Sequence, residues 1–69
     1  MIYSYDKLWK ILKNKNMKRT DLIREVGITS NSLARLGRNE DVRLEVLAKI
    51  CKFFECKLDD VVEILSEEK

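Results

Sequence analysis

A chain of 69 residues, 45% hydrophobic and 38% charged with no proline, has the composition of one small folded domain and not of a disordered segment. It has no apolar run near the roughly 20 residues of a membrane span and no charged-then-apolar leader, so a cytoplasmic protein is expected. The net charge of +2 is uneven: residues 1–43 carry ten Lys or Arg against five Asp or Glu, whereas residues 44–69 carry four against seven.

Met1–Tyr5 alternate weakly between apolar and polar and offer a short edge strand. Ser4 or Asp6 can start a first helix running to about Asn14, with Tyr5, Leu8, Ile11 and Leu12 as its apolar stripe and Trp9 on its flank. The segment NKNMK, 14–18, reads as a polar turn anchored by Met17. A second helix is predicted over about Arg19–Val26, where Leu22, Ile23 and Val26 form an apolar face. Gly27 then supplies a left-handed backbone at low steric cost, and Thr29 is an N-cap for a third helix over about Ser30–Leu36. Gly37 and Asn39 end that helix in a polar turn. A fourth helix runs from about Leu44 to Phe54 and is expected to bury Leu44, Leu47, Ala48, Cys51 and Phe54. A fifth, about Asp59–Leu65, presents Leu58, Val61, Val62 and Leu65, and the tail SEEK is expected to fray.

The stretch Arg19–Arg38, RTDLIREVGITSNSLARLGR, carries the strongest signal. Two short amphipathic helices joined at a glycine, with apolar residues fixing their crossing, describe a helix-turn-helix. From about Tyr5 to Ile64 the chain resembles the small Cro and lambda-repressor type (XRE-like) helix-turn-helix transcriptional regulators. Leu22, Val26, Gly27, Ile28, Leu33 and Leu36 sit where that family places its buried residues and its turn glycine. The run LEVLAKICKFFECKLDDVVEI looks like its two closing helices. Ile23 departs from the family's usual alanine, and Lys18 and Arg43 stand where Ser or Thr caps are usual. The resemblance implies an all-α, five-helix, lambda-repressor-like domain over residues 1–69, with helices two and three forming the motif at about 19–38. It also implies a sequence-specific transcriptional regulator, a repressor, that lays helix three in the major groove of double-stranded DNA.

Helical geometry picks the reading face independently. Leu33 and Leu36 set an inward direction, and the opposite side carries Asn31, Arg35 and Arg38, flanked by Ser30 and Ala34. The family's base-reading positions fall on Ser30, Asn31 and Arg35, with Thr29 nearby. Arginine pairs bidentately with guanine and asparagine with adenine, each good pair giving about 1–3 kcal/mol of discrimination, and Ala34 is short enough to touch a thymine methyl. Arg35 is the expected main base reader. The alternative for it is the ordinary one for surface arginines, a phosphate or solvent.

Lys18 and Arg43 each give up a cap worth about 1 kcal/mol and place a cation at the unfavourable end of a helix dipole. In the family these helix starts lie against phosphates, so Lys18, Arg19, Arg38 and Arg43 are expected phosphate contacts. The competing reading puts the caps on neighbouring residues, Thr20 or Asp41. A charge excess that coincides with the motif favours a nucleic-acid partner over simple solvation of helix faces.

One helix in one groove rarely suffices, so a symmetric homodimer is expected. Candidate interface residues are Ile2, Tyr3, Tyr5, Trp9, Val61, Val62 and Leu65, with core packing between helices one and five the preferred reading of Trp9. Cys51 and Cys56 lie about 140° apart on a continuous helix, which disfavours a local disulfide and suits two small hydrophobes in a reducing compartment, with a redox role as the alternative. With no histidine and two cysteines, no metal site and no cofactor are expected. The chain also lacks a nucleophile–base constellation and a phosphate-cradling loop, so no enzyme and no small-molecule ligand are expected. The rival function is a protein-interaction module of the same fold, such as an antitoxin-like partner. It would show aromatic or aliphatic residues on the outer face of helix three, where the sequence places polar and basic ones.

Overall fold

The computed structural model describes the backbone of residues 2–65 and the side chains of residues 3–65. The SEEK tail at 66–69 lies outside the described residues, as does the side chain of Ile2. In chain order the elements are β1 (Ile2–Ser4), a first helix (Asp6–Asn14), a second (Leu22–Val26), a third (Ser30–Gly37), a fourth (Leu44–Phe54), a 3₁₀ turn (Leu58–Asp60) and β2 (Glu63–Leu65).

Both candidate starts of the first helix take part in it. Ser4 Oγ accepts the Asp6 N–H at 3.3 Å, and Asp6 places a carboxylate in the first turn, where the dipole favours it. Tyr5, Leu8 and Leu12 are buried, and Trp9 and Ile11 lie half-buried beside them. Asn16 turns the chain with φ 57°, and the Met17 N–H returns to the Leu12 carbonyl at 2.9 Å, so Met17 packs against the core as the sequence suggested.

The second helix is shorter and wider than its pattern implies. Three tight turns lead into it, with the N–H groups of Asp21, Leu22 and Ile23 bonding the carbonyls of Lys18, Arg19 and Thr20. The regular part spans Leu22–Val26 with π-type spacing, and the Gly27 N–H closes onto the Leu22 carbonyl at 3.1 Å. Gly27 has φ 93°, the backbone for which the sequence reading singled it out. Leu22 and Ile28, on either side of the turn, are buried.

The fourth helix has the expected bounds but a rotated inner face. Leu47 and Ile50 are buried and Cys51 and Phe54 half-buried, whereas Leu44 is 67% exposed and Ala48 faces solvent. Leu44 is the first helical residue, so it projects past the end of the core; Ile50 takes the space assigned to it. Glu55 follows with φ 54°, so Cys51 and Cys56 do not lie on one continuous helix.

The all-α, five-helix expectation fails at the C-terminus: among the described residues four helices are joined by a strand pair. After one 3₁₀ turn, Glu63–Leu65 pairs antiparallel with Ile2–Ser4: Ile2 with Leu65, Tyr3 with Ile64, Ser4 with Glu63. The spacing of Leu58, Val61, Val62 and Leu65 fits a helix. The β-branched Val61, Val62 and Ile64 fit a strand equally well, and pairing with β1, some sixty residues away in the chain, decides between them. Val61 is fully buried in the common core. Among the described residues no helix is long and apolar enough to cross a membrane.

Tyr5 ties the start of the first helix to the end of the third. Its N–H donates to Asn39 Oδ1 at 3.2 Å, and its O–H donates to the Glu40 carbonyl at 2.8 Å. Asn39 holds this turn with φ 57°, and the Glu40 N–H bonds the Arg35 carbonyl at 2.9 Å. Burial chiefly, with the charge of Asp41 and then Tyr3, raises the Tyr5 hydroxyl above its ordinary pKa.

Candidate nucleic-acid interface

Thr29 starts the third helix as the sequence indicates. Its extended backbone (φ −86°, ψ 160°) leaves Oγ1 free to accept the Ser32 N–H at 3.1 Å, and its hydroxyl donates to Ser32 Oγ at 3.0 Å. A cap this local fixes where the helix begins and hence which residues face outward. Leu36 is buried and Leu33 half-buried, while Ser30, Asn31, Ala34, Arg35 and Arg38 are all exposed.

Asn31 and Arg35 line one wall of a concave surface, together with Thr29 and Ser32. The other wall is the start of the fourth helix, with Arg43, Val46 and Lys49, and acidic Asp41 and Glu45 at its margin. Arg43 is the N-cap of that helix with an extended backbone (φ −67°, ψ 145°) and no side-chain cap bond. The alternative that Asp41 caps this helix is therefore not realised, and the first-turn N–H groups there have no side-chain acceptor. Lys49, missed in the sequence, lies in this cleft at three-residue spacing from Val46 and Arg43, a stripe visible only once the helix start is fixed.

Lys18, Arg19 and Arg38 lie outside that cleft. The Lys18 backbone N–H is captured three residues on by Asp21 Oδ2 at 2.9 Å, so the side chain engaged at this helix start is Asp21 and not the alternative cap Thr20. Asp21 also pairs with Arg24. The Arg19 guanidinium lies 3.9 Å above the Trp9 ring and reaches Gly37, where an added Cβ would stand 3.6 Å from Nη1. Arg19 thus bridges the first helix to the end of the third, beside Arg38. Arg38 itself pairs with Glu40 at 3.0 Å. Among the described residues no ion pair engages Lys18, Arg19, Arg35 or Arg43.

A separate apolar hollow lies where the fourth helix meets the strand pair. Tyr3, Leu44, Leu58, Val62 and Ile64 line it, with Leu44, Leu58 and Ile64 at 67%, 43% and 63% exposed. Of the candidate interface residues, Tyr3, Val62 and the buried Tyr5 line it, and Leu65 is exposed nearby on β2. Val61 and Tyr5 are spent in the monomer's own core, and Trp9 is covered by Arg19. Leu44, its most exposed member, was expected to be buried because it completed the inward pattern of the fourth helix, and Ile64 was assigned to no face.

Comparison with known proteins agrees with this geometry. Residues 7–67 match the family model of the Cro/C1-type HTH DNA-binding domain. The chain is 38% identical over 60 residues to the uncharacterized HTH-type transcriptional regulator YozG of Bacillus subtilis (strain 168), covering 84% of this chain and 71% of that one. It superimposes on the crystal structure of the transcriptional regulator VanUg with a TM-score of 0.89 at 42% identity, covering 96% of this chain and 88% of VanUg. A DNA-binding helix-turn-helix built from Leu22–Val26 and Ser30–Gly37, and a family match over nearly its whole length, make this chain a member of the Cro/C1-type family of DNA-binding transcriptional regulators.

Proposed function

We propose that the chain is a transcriptional repressor that inserts its third helix into the major groove as a homodimer. The observation that carries this reading is the outward placement of Asn31 and Arg35 opposite Leu33 and Leu36, with Arg43 and Lys49 across the same concavity. Arg35 is the main base reader, by bidentate bonding to guanine O6 and N7; Asn31 suits adenine, and Ser30, Thr29 and Ala34 border them. Thr29 serves mainly as the cap, since its hydroxyl is engaged with Ser32. Arg43, with the open N–H groups of the fourth helix, takes one phosphate, and Lys18, Arg19 and Arg38 take others. Arg38 exchanges Glu40 for that phosphate. Occupancy alone excludes other proteins from the same groove, so the domain suffices for repression.

The apolar hollow at Leu44, Leu58 and Ile64 supports the dimer, because exposed aliphatic side chains gathered in one place are characteristic of protein contacts. Selection from a random duplex pool at about 150 mM salt tests the whole reading. An enriched inverted repeat with half-sites about 34–36 Å apart is expected. Arg35→Ala is expected to lose preference at one position per half-site. Retention only at low salt, without enrichment, would leave unspecific electrostatics and favour the protein-interaction module.

A further inference from the structure

The end of the fourth helix brings its two cysteines together. The Glu55 N–H bonds the Lys52 carbonyl at 3.3 Å and the Cys56 N–H bonds the Cys51 carbonyl at 2.9 Å, around the left-handed Glu55. This is the Schellman pattern, in which the second residue past the helix folds back over the residue five before it. Both of those positions are cysteine here. Five-residue spacing therefore brings the two positions together instead of splaying them, and burial first, then the neighbouring Cys51 thiol and Asp60, raises the Cys56 thiol above its ordinary pKa. Both are free and half-buried. A disulfide needs Cα atoms about 4.4–6.8 Å apart, a separation that a direct backbone hydrogen bond between the two residues enforces.

The two thiols differ in access. Cys56 lines an open cleft with Lys7, Lys10, Lys15, Phe54 and Asp60; Cys51 does not. Three ammonium groups against one carboxylate make that cleft attractive to anions.

We propose that Cys51 and Cys56 form a dithiol modification site, which a small organic disulfide bearing carboxylates reaches through the Lys7–Lys10–Lys15 cleft and converts to an intramolecular disulfide. The Cys56 thiolate attacks one sulfur of the small disulfide, forming a mixed disulfide and expelling one small thiolate. The Cys51 thiolate then attacks the Cys56 sulfur, forming the Cys51–Cys56 bond and expelling the second small thiolate. The two protein thiols are oxidised, the small disulfide is reduced to two thiols, and the two protons leave with them.

The test is incubation of the reduced full chain with oxidised glutathione (anionic) or cystamine (cationic), followed by acid quench and intact-mass measurement. The unsubstituted chain is expected to lose two hydrogens without a retained adduct. It should react about tenfold faster with oxidised glutathione than with cystamine once their intrinsic reactivities are normalised on the unfolded chain, and added salt should shrink that ratio. Cys51→Ser should stop at one glutathionyl adduct on Cys56, and Cys56→Ser should react about tenfold more slowly than Cys51→Ser. A retained adduct on the unsubstituted chain, disulfide-linked dimers as the sole product, equal rates for the two variants, or no dependence on the charge of the disulfide would overturn the proposal. The comparison of the two disulfides uses the unsubstituted chain and does not depend on how either variant folds.

Discussion

Arg35 and Arg43 face one another across the same concavity, yet the proposed roles separate them experimentally. Arg35→Ala should change sequence preference at one base pair, whereas Arg43→Ser should weaken binding to all duplexes alike. Loss of one phosphate contact should make the slope of log K against log salt shallower by about one, readable by titrating binding at several salt concentrations. An unchanged slope would remove Arg43 from the phosphate set. Tyr5 gives a second residue-scale outcome. Its raised hydroxyl pKa means that folding favours the neutral phenol. That stability is fully present below the unfolded value of about 10 and is lost as pH rises through the folded one. Tyr5→Phe forfeits the bond to the Glu40 carbonyl, costing about 0.5–1.5 kcal/mol at neutral pH. The gap between the two proteins in urea denaturation should then narrow above pH 10. Asn31 and Arg35 were legible from the sequence because helical periodicity alone fixes their direction. The Arg19–Trp9 stack was not, because it joins two helices whose relative placement no local pattern encodes.

Among the elements, the turn of the helix-turn-helix makes the most direct demand on one residue. At φ 93° Gly27 has nothing within 4 Å of an added Cβ, so substitution is penalised by backbone conformation and not by crowding. Gly27→Ala should cost about 1–2 kcal/mol and Gly27→Asn less, since asparagine tolerates this region better; denaturation midpoints give the order. Equal losses would point instead to a packing role. The fourth helix was legible to its bounds because its pattern is long, but its inner face was not. Leu44 and Ala48 continue the apolar spacing beyond the place where the core has room, and Ile50 fills that room. The C-terminal strand was misread because Val61, Val62, Ile64 and Leu65 satisfy both periods over so short a run. Its partner strand supplies the deciding hydrogen bonds from the other end of the chain.

For the molecule as a whole, the two exposed surfaces of note differ in chemistry: a polar and basic one on the third helix, and an apolar one at Leu44, Leu58 and Ile64. If the second joins two copies, Leu44→Glu should leave the monomer folded, because the side chain is 67% exposed, yet shift sedimentation to a single monomeric species. Binding to an inverted repeat should fall toward that of one half-site. A Leu44→Glu protein that remains dimeric would place the interface elsewhere. The third helix and its outward polar face were visible in the sequence, while the apolar hollow required the strand pair and the helix end to be brought together in space. The Tyr5 latch carries a last consequence for how this molecule opens. Because one residue grips the turn after the third helix through both its amide and its hydroxyl, loosening the first helix also releases the C-terminal end of the proposed reading helix. Fraying at the end of the third helix is therefore coupled to fraying at the start of the first, and amide exchange at Tyr5 and Glu40 should rise together. On the proposed function, any opening that frays the first helix also lowers the pool competent to bind DNA, ahead of global unfolding.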